Sequence, residues 1–279
     1  MHMFIVVHLD FLSANNQLKL KLESMSLLEK YIRSNFYLYV IARELYNFFL
    51  NFFFYEKECE VFKYLKKRSN ITIIDIGSSD LSFSSYISNF FYKSNFFCFE
   101  PLSHFYKYKK LQNSNKLNIF KKACSNKYQK ITLFTPFKKI LTYKIYLKYF
   151  SSYSLKFVKK KFIKYFNNQN NFFYEKTTVH TIKIDDLNLK PDLIKLDIEG
   201  YEMKAILGAA KTINKFKPLI YIENPSKTVD KFFKNYGYKK FIFNKKLKKI
   251  LEVNKNDKTI YNYFFIYNKK KFFKNELIL

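Results

Sequence analysis

The stretch Pro191–Ala209, PDLIKLDIEGYEMKAILGA, decides how this chain is read. Leu193, Ile194 and Leu196 form a short apolar run. Asp197, Glu199 and Glu202 follow at once, and a helical pattern then continues through Ile206 and Leu207. A buried strand that ends in carboxylates and turns into a helix is a βα unit of an open α/β sheet, whose chemistry gathers in the crevice at the strand carboxyl ends. Pro191 sets off the strand, Gly200 relieves the turn and Gly208 lies late in the helix. Charged side chains directly after a buried strand are costly without a role, so Asp197, Glu199 and Glu202 are the candidate catalytic residues. For Glu202, on the helix, surface pairing is the competing reading.

Working upstream, ITIIDIGSSD begins at Ile71 as a β-branched strand and runs into Asp75, Gly77, Ser78, Ser79 and Asp80. That is the opening of a nucleotide-binding βα unit, in which Gly77 admits a ligand close to the backbone and the next helix presents its amides. One unit on, Asn95–Phe99 is an apolar strand ending in Glu100-Pro101. An acid in that place is set to accept hydrogen bonds from a ribose diol. The absence of G-x-G-x-x-G argues against a dinucleotide enzyme. TTVHTIKIDDL at 177–187 reads as an edge or crossing strand, with Asp185 capping the segment that follows and His180 a packed or surface residue. Downstream, Phe216–Asn224 is a strand ending at Glu223 and Thr228–Tyr236 a helix stopped by Gly237. Tyr238–Phe243 is a strand, Lys245–Lys249 a basic turn, Ile260–Tyr267 a last strand, and the tail after Lys269 a frayed end.

Taken together, K-L-D-I-E-G-Y-E-M-K-A-I-L-G-A closely resembles the signature of the FkbM-type methyltransferases. D-I-G at 75–77, F-E-P at 99–101 and I-D-D-L at 184–187 stand in the family's order, so the resemblance spans about 71–267. It implies an α/β fold with a Rossmann-like class I methyltransferase sheet, mostly parallel with its last strand antiparallel, and helices on both faces. It also implies S-adenosylmethionine as cofactor, with Asp75, Gly77, Ser78, Ser79 and Asp80 at its methionine end and Glu100 on its ribose. Ala123, in the short A-x-S turn with Cys124 and Ser125, falls near the adenine. The reaction implied is O-methylation, often of sugar hydroxyls in surface polysaccharides or of small metabolites. Leu81 stands where the family has its second glycine, and the expectation is that it crowds the methionine portion unless the loop re-routes. Methyl transfer requires an acceptor oxygen held near the methyl carbon and a base for its proton. Asp197 or Glu199 is the candidate base; the alternative is a divalent cation held by the three acids.

Composition bounds the remaining choices. The 279 residues carry a formal charge of +29, which fits nucleic acid or an anionic membrane surface. Yet no Trp, only 4 Gly and 5 Pro, and an abundance of Lys, Asn, Phe, Ile and Tyr follow AT-rich codons, and that bias accounts for much of the charge. A nucleic-acid methyltransferase and a catalytically lapsed binding module are the rival readings; no N-P-P-Y-type motif favours the first. Three widely spaced cysteines give no disulfide or zinc pattern, so a cytoplasmic setting is expected. Residues 1–69 read as an N-terminal helical extension. Within it Arg43, Asn47 and Asn51 form a narrow polar stripe on an otherwise apolar helix over 35–55, which packs on its own domain or on a twin subunit as a homo-oligomer. Residues 56–68 read as a second helix, and 70–279 as the methyltransferase domain. A basic insertion at 137–173 places Leu155, Val158, Phe162 and Phe166 on one helical face and Lys156, Lys159, Lys160 and Lys164 on the others. A solvated helix, a substrate lid and a phosphate- or membrane-contacting patch compete there.

Overall fold

Apolar β-branched runs become the buried strands of a sheet, and their order along the chain sets where its carboxyl edge lies. The computed structural model describes residues 57–102, 111, 114–140, 143–147, 150–166, 172–198, 200–244, 246–253 and 261–273, together with Leu38 and Ile41, which are helical. The rest of the helix expected over 35–55 lies outside these residues. The chain divides into two compact units, Tyr55–Leu133 with Lys176–Leu279, and Met1–Phe54 with Phe134–Glu175.

The elements in chain order are β1 (Thr72–Ile76), α1 (Ser82–Ile87), β2 (Asn95–Phe99), β3 (Lys116–Phe120), β4 (Ala123–Cys124), β5 (Lys130–Ile140) and β6 (Tyr143–Tyr146). There follow α2 (Leu155–Tyr165), β7 (Phe173–Ile182), β8 (Leu193–Leu196), α3 (Glu202–Leu207), α4 (Ala210–Phe216) and β9 (Leu219–Glu223). The last are α5 (Lys227–Asn235), β10 (Lys239–Asn244), β11 (Lys249–Glu252), β12 (Asn262–Ile266) and α6 (Lys269–Phe272). In the larger unit eight strands form one sheet in the order β11-β10-β12-β9-β8-β1-β2-β3. β3, β2, β1, β8 and β9 pair in parallel, whereas β12 runs antiparallel between β9 and β10. The strand order reverses between β1 and β8, so a crevice opens at their carboxyl ends.

Alternation along the strands divides the core between the two faces. Ile73, Phe96, Leu193, Leu219 and Phe264 join one cluster with Phe83 and Ile87 of α1. Ile74, Ile76, Ile194, Leu196 and Ile220 join the other with Ala205, Ile213 and Phe233 of α3, α4 and α5. Helices therefore cover both faces of a mixed, largely parallel sheet.

Three local expectations change. Residues 57–64 form a 3-10 helix in place of an α-helix over 56–68, and Cys59, Val61, Phe62 and Leu65 enter the first cluster. The turn at 245–249 opens into β11, which pairs antiparallel with β10 through Asn244↔Lys249 and Phe241↔Glu252. Lys269–Phe272 form α6 in place of a frayed end, because Phe272 and Phe273 are buried in the first cluster and Phe273 bridges Leu65. Two aromatic rings outweigh the fraying expected of a basic tail.

In the smaller unit β5 pairs antiparallel with β6, with Phe137 opposite Tyr146. Ser154 caps α2 by accepting from the Phe157 amide at 3.3 Å. Val158, Phe162 and Phe166 are fully buried, and the last two pack with Leu147 and Phe150. The apolar helical spacing read from the sequence is thus the buried face of α2.

Candidate functional site

The site begins with an unusual row across the sheet. Register aligns Cys98 of β2, Asp75 of β1, Lys195 of β8 and Tyr221 of β9 on the face that also carries Ile73 and Phe96. Asp75 is fully buried and Lys195 only 7 % exposed. The Lys195 ammonium lies 3.3 Å from Asp75 Oδ1 and 3.4 Å from Asp197 Oδ2, and donates to the Gly77 carbonyl at 3.0 Å. Ser84 of α1 donates to Asp75 Oδ2 at 2.7 Å. A buried charge is tolerable only when paired, and here one ammonium joins a carboxylate inside the core to one at the crevice.

Above this row the loop 77–81 alternates in backbone sign, with left-handed φ at Gly77 (+80°), Ser79 (+47°) and Leu81 (+65°). A Cβ on Gly77 would stand 2.0 Å from the Asp197 carbonyl oxygen, so contact as well as φ requires glycine. The Gly77 and Ser78 amides donate to the Phe99 carbonyl at 2.9 and 3.2 Å, tying the loop to the end of β2. The Ser79 amide donates to Glu100 Oε2 at 3.2 Å and the Leu102 amide to Oε1 at 2.9 Å. Glu100 is buried, and burial pushes its carboxyl up to about 7 against the pull of those two amides. The Ser78 and Ser79 hydroxyls are buried with no hydrogen-bond partner among the described residues. Asp80 accepts from the Ser82 amide at 3.1 Å. Leu81 departs from the crowding expected of it. Its backbone keeps the left-handed conformation of a glycine, and its side chain, 1 % exposed, belongs to the core cluster with Phe83 and Ile87.

Of the acids after β8, Asp197 and Glu202 are described, and they make different contacts. The Asp197 amide donates to the Ile76 carbonyl at 3.0 Å, which docks the end of β8 on β1, while its side chain stays 41 % exposed. Glu202 turns back and accepts from the Gly200 amide at 2.8 Å, closing the turn before α3. Glu199 lies outside the described residues. Among the described residues no group of three His, Cys, Asp or Glu side chains stands close enough to hold a metal ion.

This geometry can now be set beside known proteins. The Methyltransferase FkbM domain matches residues 75–240, more than half of the chain. The chain belongs to the FkbM methyltransferase family. It is similar at 15 % identity to the methyltransferase FkbM of Methylobacillus flagellatus KT, with a TM-score of 0.40, over 71 % of this chain and 44 % of that one. It thus spans less than half the length of that relative. A precorrin-6y C5,15-methyltransferase from Geobacter metallireducens GS-15 is similar at 12 % identity and a TM-score of 0.33, over 75 % of this chain and 84 % of that one. No curated protein matches the sequence.

Within this FkbM domain the remaining candidates sort by what they touch. Ala123 is half-buried against Leu102 and Val179. Beside it, Ser125 Oγ lies 3.1 Å from the Tyr201 hydroxyl, to which Gln129 Nε2 also donates at 3.4 Å. A Cβ on Gly208 would meet the Ser125 carbonyl at 2.0 Å, so the A-x-S turn and the start of α4 are clamped together. Asp185 accepts from the Thr212 amide at 2.8 Å and the Lys211 amide at 3.2 Å. It therefore caps α4, a helix that begins 25 positions later, and is structural. His180 is exposed on β7. The residue missed by sequence reasoning is Lys195. Its signal was available, because it is the lone charge inside the buried run LIKL.

Proposed function

We propose that this FkbM-family chain is an S-adenosylmethionine-dependent O-methyltransferase built on a Rossmann-like class I sheet. An antiparallel β12 seated between β9 and β10 supports the class I reading. The observation that carries the cofactor is the pairing of a buried Glu100 carboxylate with two unpartnered buried hydroxyls, Ser78 and Ser79, beside a loop stripped of side-chain bulk at Gly77. These groups fit a ligand with a sugar diol and a charged amino-acid end: the carboxylate accepts from ribose hydroxyls, and the serines and loop backbone meet the methionine end. S-adenosylmethionine, when bound, supplies an electrophilic methyl group on its sulfonium.

The chain's own residues do the rest. Lys195 holds Asp197 at the mouth of the crevice while its other contacts fix Asp75 and the Gly77 carbonyl, so cofactor loop and acceptor side share one anchor. Asp197, with Glu199 as the alternative, takes the proton from the acceptor hydroxyl. Ala123 lines the adenine end. The acceptor class is a sugar hydroxyl of a glycan or a small metabolite. The three cysteines are buried and none is in a disulfide, which supports a reducing, cytoplasmic setting. Among the described residues no helix is long and apolar enough to cross a membrane.

Calorimetric titration with S-adenosylmethionine tests this reading. Micromolar binding that Glu100→Ala abolishes, with the fold intact by circular dichroism, is expected. A folded wild type that binds nothing overturns it in favour of a lapsed methyltransferase fold.

A further inference from the structure

The basic insertion carries a surface that the methyl-transfer reading does not use. Residues 134–175 contain nine lysines and a single acid, Glu175, a net +8 in 42 residues against +29 over all 279. That density is nearly twice the chain's average, so a codon bias acting on the whole sequence does not account for it. The charge is also arranged. Lys156, Lys159, Lys160 and Ile163 follow one another at i, i+3, i+4 and i+7 on α2, which puts them on one helical face. All three lysines are exposed, Ile163 is 41 % exposed, and Phe157 beside them is 37 % exposed. The opposite face is already spent in packing, because Val158, Phe162 and Phe166 are fully buried.

We propose that this face of α2 docks the protein on an anionic phospholipid surface. Three ammonium groups complement the headgroup charge, and each basic residue near such a surface strengthens binding by about fivefold. Phe157 and Ile163 flank them as the apolar side chains that enter the boundary between headgroups and acyl chains. The aliphatic member decides between polyanions, since nucleic-acid grooves interleave lysines with aromatic rings on which bases stack, and Ile163 offers no such platform. A helix lying in the interface would deliver the enzyme to acceptors assembled at a membrane.

The test is flotation of the full chain with phosphatidylcholine vesicles, with and without phosphatidylglycerol. The wild type floats only with the anionic vesicles. Reversal of Lys156, Lys159 and Lys160 to Glu lowers the partition constant by at least about 100-fold. Reversal of Lys227, Lys231 and Lys234, an exposed set of three on one face of α5, leaves it within a few-fold. Phe157→Ser with Ile163→Ser removes the part of binding that survives added salt. Equal losses from the two charge reversals, no flotation by the wild type, or flotation with neutral vesicles alike would overturn the proposal, as would tight binding to single-stranded RNA with none to vesicles. S-adenosylmethionine affinity is read separately on each variant, and its loss would leave this result unaffected.

Discussion

The two sides of the crevice are built in opposite ways. After β1 and β2, the amides of Gly77, Ser78, Ser79 and Leu102 are each spent on a nearby carbonyl or on Glu100, and the side chains involved are buried. After β8, Asp197 is 41 % exposed, and Glu202 accepts from the Gly200 amide in the turn that precedes its helix. Hydrogen bonds among buried groups leave a loop one conformation, whereas half-exposed acids leave room for different acceptors. The difference fits the proposed function, in which the first side holds the cofactor and the second meets the acceptor. Lys195 reaches both sides, to Asp75 and the Gly77 carbonyl on one and to Asp197 on the other.

The largest expected effect comes from cutting that link. Lys195→Met strands the Asp75 carboxylate in the core and lowers unfolding free energy by about 3–5 kcal/mol. Adding Asp75→Asn restores much of the loss in urea denaturation; a double variant as unstable as the single one would break the coupling between the sides.

Next is the titration of Glu100. Its carboxyl is raised from 4.5 to about 7, so the folded state holds a proton that the unfolded chain has released. Stability from this group is therefore present below about pH 4.5 and is lost as pH rises to about 7, on the order of 2–3 kcal/mol. Glu100→Gln removes that slope, so the variant's stability relative to wild type should rise between pH 5 and pH 8 in parallel urea titrations.

A paired glycine experiment compares the sides directly. Gly77 and Gly200 both have φ near +80 to +92°, but only Gly77 has backbone within reach of a Cβ. Gly200→Ala should cost about 1 kcal/mol for its φ alone, and Gly77→Ala about 2–3 kcal/mol with the added clash. Equal costs would mean that the loop after β1 yields as easily as the turn before α3. Smallest is Leu81→Gly. Loss of a buried side chain, about 2 kcal/mol, is offset by about 1 kcal/mol from relief of its left-handed φ. A net loss near 1 kcal/mol with unchanged S-adenosylmethionine affinity is expected, and a clear gain in affinity would restore the crowding view.

How much was legible follows from these residues. β1, β2, β8 and β9 were readable because buried parallel strands are continuous apolar runs, and their order placed Asp75, Glu100 and Asp197 at one edge. Asp185 showed itself as a capping acid, but its partner helix lies beyond a whole strand and turn, which no local pattern announces. Lys195 was visible as an anomaly yet not as a link, because the sequence does not say that Asp75 is its neighbour in register. Leu81 misled for a related reason. A motif position records backbone conformation, and where the side chain goes depends on the core beneath it.

The seat of β12 has a consequence for synthesis. This strand is the last of the eight to leave the ribosome, yet it fills an interior place between β9 and β10. Until it arrives, the emerging chain holds two facing strand edges with unpaired amides and carbonyls, an open slot that strands of other nascent chains could enter. Translation speed over the codons of β12, and shielding of that slot by chaperones, therefore bear on yield as much as the stability of the finished sheet does.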